Sequence, residues 1–305
     1  MNTKCPICES PLFAELPYGG YLYRGAKLPL ARCQVCSLEF ILNNLSEQDI
    51  AALYQEEKYF DSEYAGGAEC SYEQNKDEQY KKAEHALNFI ARYKKAGKLL
   101  DVGCAGGYFV EYAKRQYNYD AKGVEPSPVM VRLARARGHD VCEGGVFDVP
   151  KSWGSFDVVY LGDMLEHVKN PHPIIAEVLR RLSDNGLIAI EVPLTYNITI
   201  AGLVIGIASM LRGRFGYKHF LPAQHRTKLM PKPPYHLLMF GPKSITRLLR
   251  KHGFEVRLVR VFEGKPKDKF RNPIYRALKF VGYFITNFIP QKYFGDRMIA
   301  IAQKK

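Results

Sequence analysis

The chain has 305 residues, 47% of them hydrophobic and 25% charged, with 44 Lys+Arg against 31 Asp+Glu for a net charge of +13. That length has room for one catalytic domain of ~200 residues plus a small module. The apolar content allows a full core, and the lack of repeats or low-complexity tracts excludes a solenoid or array. The charge is uneven: residues 1–209 carry a net −5, while residues 210–305 carry 22 Lys+Arg against 4 Asp+Glu, a net +18. This asymmetry points to an anionic partner near the C-terminal third: a phosphorylated substrate, a lipid headgroup surface or nucleic acid.

Taken in chain order, the first marked feature is a pair of C-x-x-C motifs, Cys5-Pro-Ile-Cys8 and Cys33-Gln-Val-Cys36, with 24 residues between them. Four thiolates at this spacing suit a tetrahedral structural zinc (Zn2+) site in a zinc-ribbon-like module over residues 1–45. A β-hairpin through Tyr18 to Lys27 spans the gap. Disulfides and a redox C-x-x-C are the other readings. Met1-Asn-Thr-Lys-Cys5 has no apolar stretch of a secretory signal, so the expected compartment is cytoplasmic, where disulfides are rare. Such a site would fold a segment too small for its own core. Cys70, Cys104 and Cys142 have no paired spacing.

Residues 46–80 form a linker rich in Glu, Asp and Tyr, including Tyr54, Tyr59, Phe60, Tyr64, Tyr72 and Tyr80. Beyond them, Leu99-Leu100-Asp101-Val102 reads as a short buried strand. Gly103, Gly106 and Gly107 then allow a sharp turn and close approach to a ligand. A helix continues from Phe109, and Glu125 ends the next apolar run. A strand, glycine turn and helix, with an acid on the next strand, hold the nucleoside part of a cofactor. The order Asp101-x-Gly103-x-x-Gly106-Gly107 departs from the dinucleotide pattern. Asp101 would put negative charge where a pyrophosphate must sit, and it suits a ligand with positive charge.

This arrangement resembles motif I of the class I S-adenosylmethionine-dependent methyltransferases. The resemblance implies that Gly103, Cys104, Ala105, Gly106 and Gly107 pass under the methionine part of the cofactor, with Asp101 near its ammonium and Glu125 on both ribose hydroxyls. It also implies an α/β fold: a Rossmann-like, mostly parallel seven-stranded sheet with helices on both faces. Ser127 and Pro128 open the helix after Glu125, and Gly138 closes it. Many relatives carry an Asp after the third strand for the adenine amine. Here Gly144-Gly145-Val146-Phe147-Asp148 stands there, leaving adenine to backbone near Val146 or to Asp148, with Leu161 at the end of the fourth strand, Phe156–Leu161. In such relatives a segment like 46–80 precedes and covers the cofactor; a solvated linker helix is the alternative.

Leu165-Glu166-His167, the helix Pro171–Leu182, the strand Leu187–Val192 and Tyr235-His236 to Phe240 resemble a subgroup that methylates bacterial glycans and natural products. A hydroxyl acceptor benefits from a base, and His suits neutral pH. His167 is the first candidate, with Glu166 to orient it, and His236 the second; local packing is the other reading of each. Asp163 near Glu166 and His167 leaves a catalytic metal open. His219 and His225, among Lys218, Arg226 and Lys228, read either as contacts to an anionic substrate or as a solvated loop.

Two apolar segments interrupt the methyltransferase-like region 81–305, as insertions at about 195–235 and 263–296. Ile198–Leu211 has fourteen residues without a charge, fewer than the ~20 that span a bilayer. Pro273–Ile289 places Ile274, Leu278, Val281, Ile285, Phe288 and Ile289 on one helical stripe, flanked by Arg276 and Lys279. They read either as helices packed on the domain or as a peripheral membrane contact. The resemblance favours a small-molecule or sugar acceptor, anionic or lipid-linked, in bacterial surface-polysaccharide synthesis. An RNA methyltransferase is the alternative, since zinc ribbons also precede some of these, although the apolar runs are unusual for an RNA-facing surface. A non-catalytic binding protein on the same scaffold is a third reading.

Overall fold

A computed structural model describes residues 3–43, 45–46, 48–50, 52, 76–194, 197–213, 220, 229–231, 233–264, 273–289 and 294–305. His219, His225 and their basic neighbours, Cys70 and the linker aromatics before Tyr80 lie outside the described residues. The chain divides into two compact units. One comprises Met1–Asn44, Val192–Leu248 and Leu258–Ala300. The other comprises Leu45–Glu191, Leu249–Arg257 and Ile301–Lys305.

In the first unit, β1 (Phe13–Glu15), β2 (Gly20–Tyr23), β3 (Ala26–Leu28), β4 (Leu30–Cys33) and β5 (Glu39–Ile41) lie close in sequence. The expected hairpin is β2–β3, with Tyr21 opposite Leu28. Later strands extend both sheets of the N-terminal segment. Leu238 and Met239 pair with Phe40 and Glu39, and Leu229 and Met230 pair with Gly20 and Tyr21.

In the second unit, α1 (Lys76–Ile90) leads into β6 (Gly97–Val102), α2 (Tyr108–Tyr117), β7 (Tyr119–Glu125), α3 (Pro128–Ala136), β8 (Val141–Glu143), β9 (Phe156–Gly162) and α4 (His172–Arg181). β10 (Leu182–Pro193) follows; then come α5 (Ile200–Leu211), β11 (Leu229–Met230), β12 (Leu238–Met239) and α7 (Pro273–Phe288), which belong to the first unit, and α6 (Pro242–Lys251), β13 (Phe254–Phe262) and β14 (Arg297–Lys304), each with residues in both. The seven-stranded sheet has the order β13-β14-β10-β9-β6-β7-β8. This is the Rossmann-like methyltransferase sheet that the glycine motif implies. β8, β7, β6, β9 and β10 run parallel. Their near-continuous apolar runs, such as fully buried Val158, Val159 and Leu161, follow from coverage on both faces. The order reverses between β6 and β9, so a crevice opens at the carboxyl ends of these strands, where open α/β sheets bind ligands.

The helix ends are locally encoded. Ser127 Oγ accepts from Met130 N–H at 3.5 Å to cap α3, and Pro128 occupies its first turn. Gly107 precedes α2 at φ 81°, and Asn118 ends it in the left-handed region at φ 56°.

A polar cluster joins α1, α2 and the end of α3. Tyr80 Oη donates to Glu111 Oε2 at 3.0 Å, and Arg137 donates both to Glu111 and to Tyr80 Oη. The Arg137 guanidinium lies 3.7 Å over the Tyr108 ring centroid. Burial acts to raise the Glu111 carboxyl, but hydrogen bonds from Arg137, Tyr80 and Arg115 outweigh it and lower the pKa from 4.5 to about 2. A lowered carboxylate stabilises the fold above its unfolded pKa, and that stability is lost as pH falls through the folded one. Urea unfolding of wild type and Glu111→Gln should therefore differ most near neutral pH. The gap should narrow from pH 4.5 towards about 2; a gap independent of pH would contradict this cause.

Candidate cofactor site and N-terminal thiol cluster

The β6–α2 turn is held from β7. Gly103 N–H and Cys104 N–H both donate to Val124 C=O, at 2.8 and 3.2 Å. Gly103 and Gly107 take φ of 80° and 81°, where a side chain is strained. At Gly107 a Cβ would also come within 2.9 Å of the His139 ring. Ala105 is left-handed as well, at φ 44°. Its N–H donates to Glu125 Oε2 at 2.9 Å, which holds this unfavourable conformation. Cys104 packs its sulfur against Gly123, where a Cβ would come within 2.4 Å of it. It is thus a small packing residue of the turn.

Glu125 ends β7 and is buried. Its second oxygen, Oε1, accepts from Ser127 N–H at 2.8 Å. One carboxylate therefore ties the glycine turn to the start of α3 and keeps further lone pairs for a ligand hydroxyl. Burial raises its pKa, against the two backbone hydrogen bonds that lower it.

Asp101 sits in the middle of the sheet, with Gly123 of β7 on one side and Tyr160 of β9 on the other. It is only 3% exposed. Burial first, then the charge of Glu125, raise its carboxyl well above the ordinary value. Two acids this deeply placed suit a ligand that brings positive charge and hydroxyl donors.

Val146 is buried in a short 3-10 turn over Val146–Asp148. Asp148 Oδ2 accepts from Gly145 N–H at 2.8 Å, so this carboxylate braces the turn. Leu161 is fully buried, opposite Val102 of β6. Past β9, Leu165–His167 forms another 3-10 turn. Glu166 is 1% exposed, and its Oε1 lies 3.8 Å from His167 Nε2. That distance is an electrostatic contact and exceeds a hydrogen bond. His236 is half-buried in the other unit, just ahead of β12.

Two further polar residues, Glu191 and Lys82, were not singled out from the sequence, and both meet Asp163 or its neighbours. Glu191, buried near the end of β10, accepts from Tyr160 Oη at 3.3 Å. Its C=O accepts from Asp163 N–H at 2.9 Å, at a residue with φ 50°. Lys82 of α1 lies 3.4 Å from Asp163 Oδ2. A lone acid inside the apolar run Leu187–Val192 was the available signal for Glu191.

The four N-terminal cysteines come together with their ligand atoms within 4.8 Å of one another. Cys5–Cys36 and Cys8–Cys33 sulfur pairs are each 3.5 Å apart. Bonds of ~2.3 Å to a tetrahedral ion place sulfurs ~3.8 Å apart, so the cluster matches that geometry in scale. The four thiols are free. Each C-x-x-C ends in the same kind of bend. Glu9 and Ser37 have φ of 59° and 60°, and their N–H groups donate back to Cys5 C=O and Cys33 C=O at 3.0 Å.

Parts of the chain are similar to known proteins. A ubiquinone biosynthesis O-methyltransferase of Xanthomonas oryzae pv. oryzae is 31% identical over 159 residues, covering 46% of this chain and 66% of that protein. A norajmaline N-methyltransferase of Rauvolfia serpentina is 32% identical over 109 residues, 32% of this chain and 37% of that one. A crystal structure of a SAM-dependent methyltransferase from Archaeoglobus fulgidus superposes with a TM-score of 0.49 at 17% identity, covering 82% of this chain and all of that one. Residues 74–259 match the family model described as a methyltransferase domain, and the chain belongs to that family.

Proposed function

We propose that this chain is an S-adenosylmethionine-dependent methyltransferase acting on a hydroxyl of a small molecule or sugar. The observation that carries the reading is the deeply buried Asp101 carboxylate beside Glu125 at the glycine turn. It favours a cationic nucleoside ligand and disfavours an anionic dinucleotide. When bound, S-adenosylmethionine supplies a methyl group on a positively charged sulfur for in-line displacement.

The chain's own residues divide the remaining work. Asp101 offsets the cofactor's positive charge, and Glu125 accepts from its ribose hydroxyls. Gly103 to Gly107 let the backbone approach, and the turn at Val146 with Leu161 borders the adenine. His167 takes the acceptor's proton as the new bond forms, and the Glu166 carboxylate 3.8 Å away stabilises the resulting imidazolium. His236 is the second candidate base. Cys5, Cys8, Cys33 and Cys36 hold a structural zinc. The acceptor is placed in surface-glycan or lipid-linked precursor synthesis, on the strength of the Leu165-Glu166-His167 and Tyr235–Phe240 patterns. Mass spectrometry of glycans and lipid-linked intermediates from cells with and without the gene tests that assignment, and an unchanged profile would remove it.

Four outcomes are expected of the purified protein. Burial raises the folded pKa of Asp101, so the stability its protonated form contributes is lost as pH rises through that value. Asp101→Asn should raise the melting temperature at neutral pH, with the gain fading in acid. The same variant should weaken S-adenosylmethionine binding roughly tenfold or more by calorimetry. Unchanged affinity would remove Asp101 from the site. His167→Ala should keep cofactor affinity and lose turnover by roughly tenfold or more, and unchanged turnover would reject it as the base. Elemental analysis should find a bound zinc that disappears in Cys8→Ser/Cys33→Ser; a zinc-free wild type that folds normally would reject the metal site.

A further inference from the structure

The helix α7 is inside out. Its buried positions are polar or small: Lys279, Gly282 and Thr286. Lys279 Nζ donates to Glu263 Oε2 at 2.7 Å and to Asp296 Oδ2 at 2.6 Å. Thr286 Oγ1 accepts from Glu263 N–H at 2.8 Å, and Asn287 Nδ2 donates to Glu263 C=O at 3.1 Å. Gly282 lets the Glu263 carboxylate come close, since a Cβ there would meet it at 2.5 Å. At the helix end, Arg260 Nη2 donates to the carbonyls of Thr286, Asn287 and Ile289 at 2.8, 3.0 and 3.0 Å.

The solvent side is the apolar one. Ile274 is 71% exposed and Phe288 74%, with Phe280 and Phe284 also exposed between them. Phe284 stacks with Phe288 at 5.6 Å and meets Phe280 edge-on at 4.9 Å, so the rings form a row along the helix. In the same unit, α5 packs against α7 and leaves its own apolar stripe in solvent. Ile207 is exposed on it, and Leu211 is 85% exposed. A water-facing surface helix normally turns such residues inward. Here a network of buried hydrogen bonds and ion pairs anchors the polar face instead.

The charge of this part of the chain indicates what covers that face. Along the sequence, Val192 to Phe254 hold no acidic residue against ten Lys+Arg. Arg212 caps the C-terminus of α5 next to Leu211, and Arg276 is exposed on α7 between Ile274 and Phe280. Two copies meeting here would bring together two strongly basic segments, which repel, whereas an anionic surface complements them. The 16 residues of α7 make a rod ~24 Å long. No described helix is long and apolar enough to cross a membrane, so this one suits the interfacial plane, with aromatic rings in the acyl boundary and arginines among the headgroups.

We propose that α7, supported by α5, docks this protein on an anionic lipid bilayer through its outward apolar face. The test does not depend on catalysis or on the acceptor. Full-length wild type is co-sedimented with vesicles of 1:1 phosphatidylglycerol and phosphatidylcholine, and with phosphatidylcholine alone. It should bind the anionic vesicles at least tenfold more tightly. Phe280→Ser/Phe284→Ser should lose that binding by at least tenfold while its melting temperature and S-adenosylmethionine affinity stay at the wild-type level. A Phe284→Trp variant should shift its added emission to the blue on binding. No wild-type binding overturns the proposal. So does binding that survives the double serine change, since it would be charge adsorption alone. A wild-type dimer that the serine variant dissociates, without vesicle binding, assigns the face to a second copy and also overturns it.

Discussion

The Glu125 carboxylate is the constraint on which the glycine turn depends. Its two oxygens accept from Ala105 N–H and Ser127 N–H, so one side chain joins the β6–α2 turn to the β7–α3 corner. Gly103, Ala105 and Gly107 all adopt positive φ, and the hydrogen bonds to Val124 C=O and Glu125, with Gly107 N–H donating to Cys104 C=O, offset that cost. Joining the turn to the corner is a structural reason for burying an acid at this place in the fold.

Asp101 pulls in the opposite direction. It stands next to Glu125 in an apolar sheet, and both burial and its neighbour's charge oppose its ionisation. Holding it ionised there therefore costs stability. Glu166 is also buried, beside His167 just past β9.

The two units put their apolar residues to different uses. In the β6–β10 strands apolar runs are buried on both faces and make the core. In α7 the apolar face is turned to solvent, while Lys279, Thr286 and Asn287 hold the other face to Glu263 and Asp296. The basic C-terminal third gives this exposed face a context that composition alone had left open.

Local chemistry made much of the fold readable from the chain. The Leu99–Gly107 turn, the Ser127-Pro128 helix start and Gly138 each follow from steric and capping rules over a few residues, while the mostly parallel seven-stranded sheet was expected only from the resemblance to a methyltransferase family. The four cysteines likewise announced their cluster by spacing. Non-local pairings were not readable. Nothing near Glu39–Ile41 says that Leu238 and Met239 complete its sheet. Glu191 looked like an oddity in a strand until β9 brought Tyr160 to it. The stripe on Pro273–Ile289 was visible as a pattern, but a helical period marks which residues share a face, not which way the face points. That direction was decided by buried Glu263 and half-buried Asp296 and Arg260, residues outside the helix whose charges and hydrogen bonds claim its polar side.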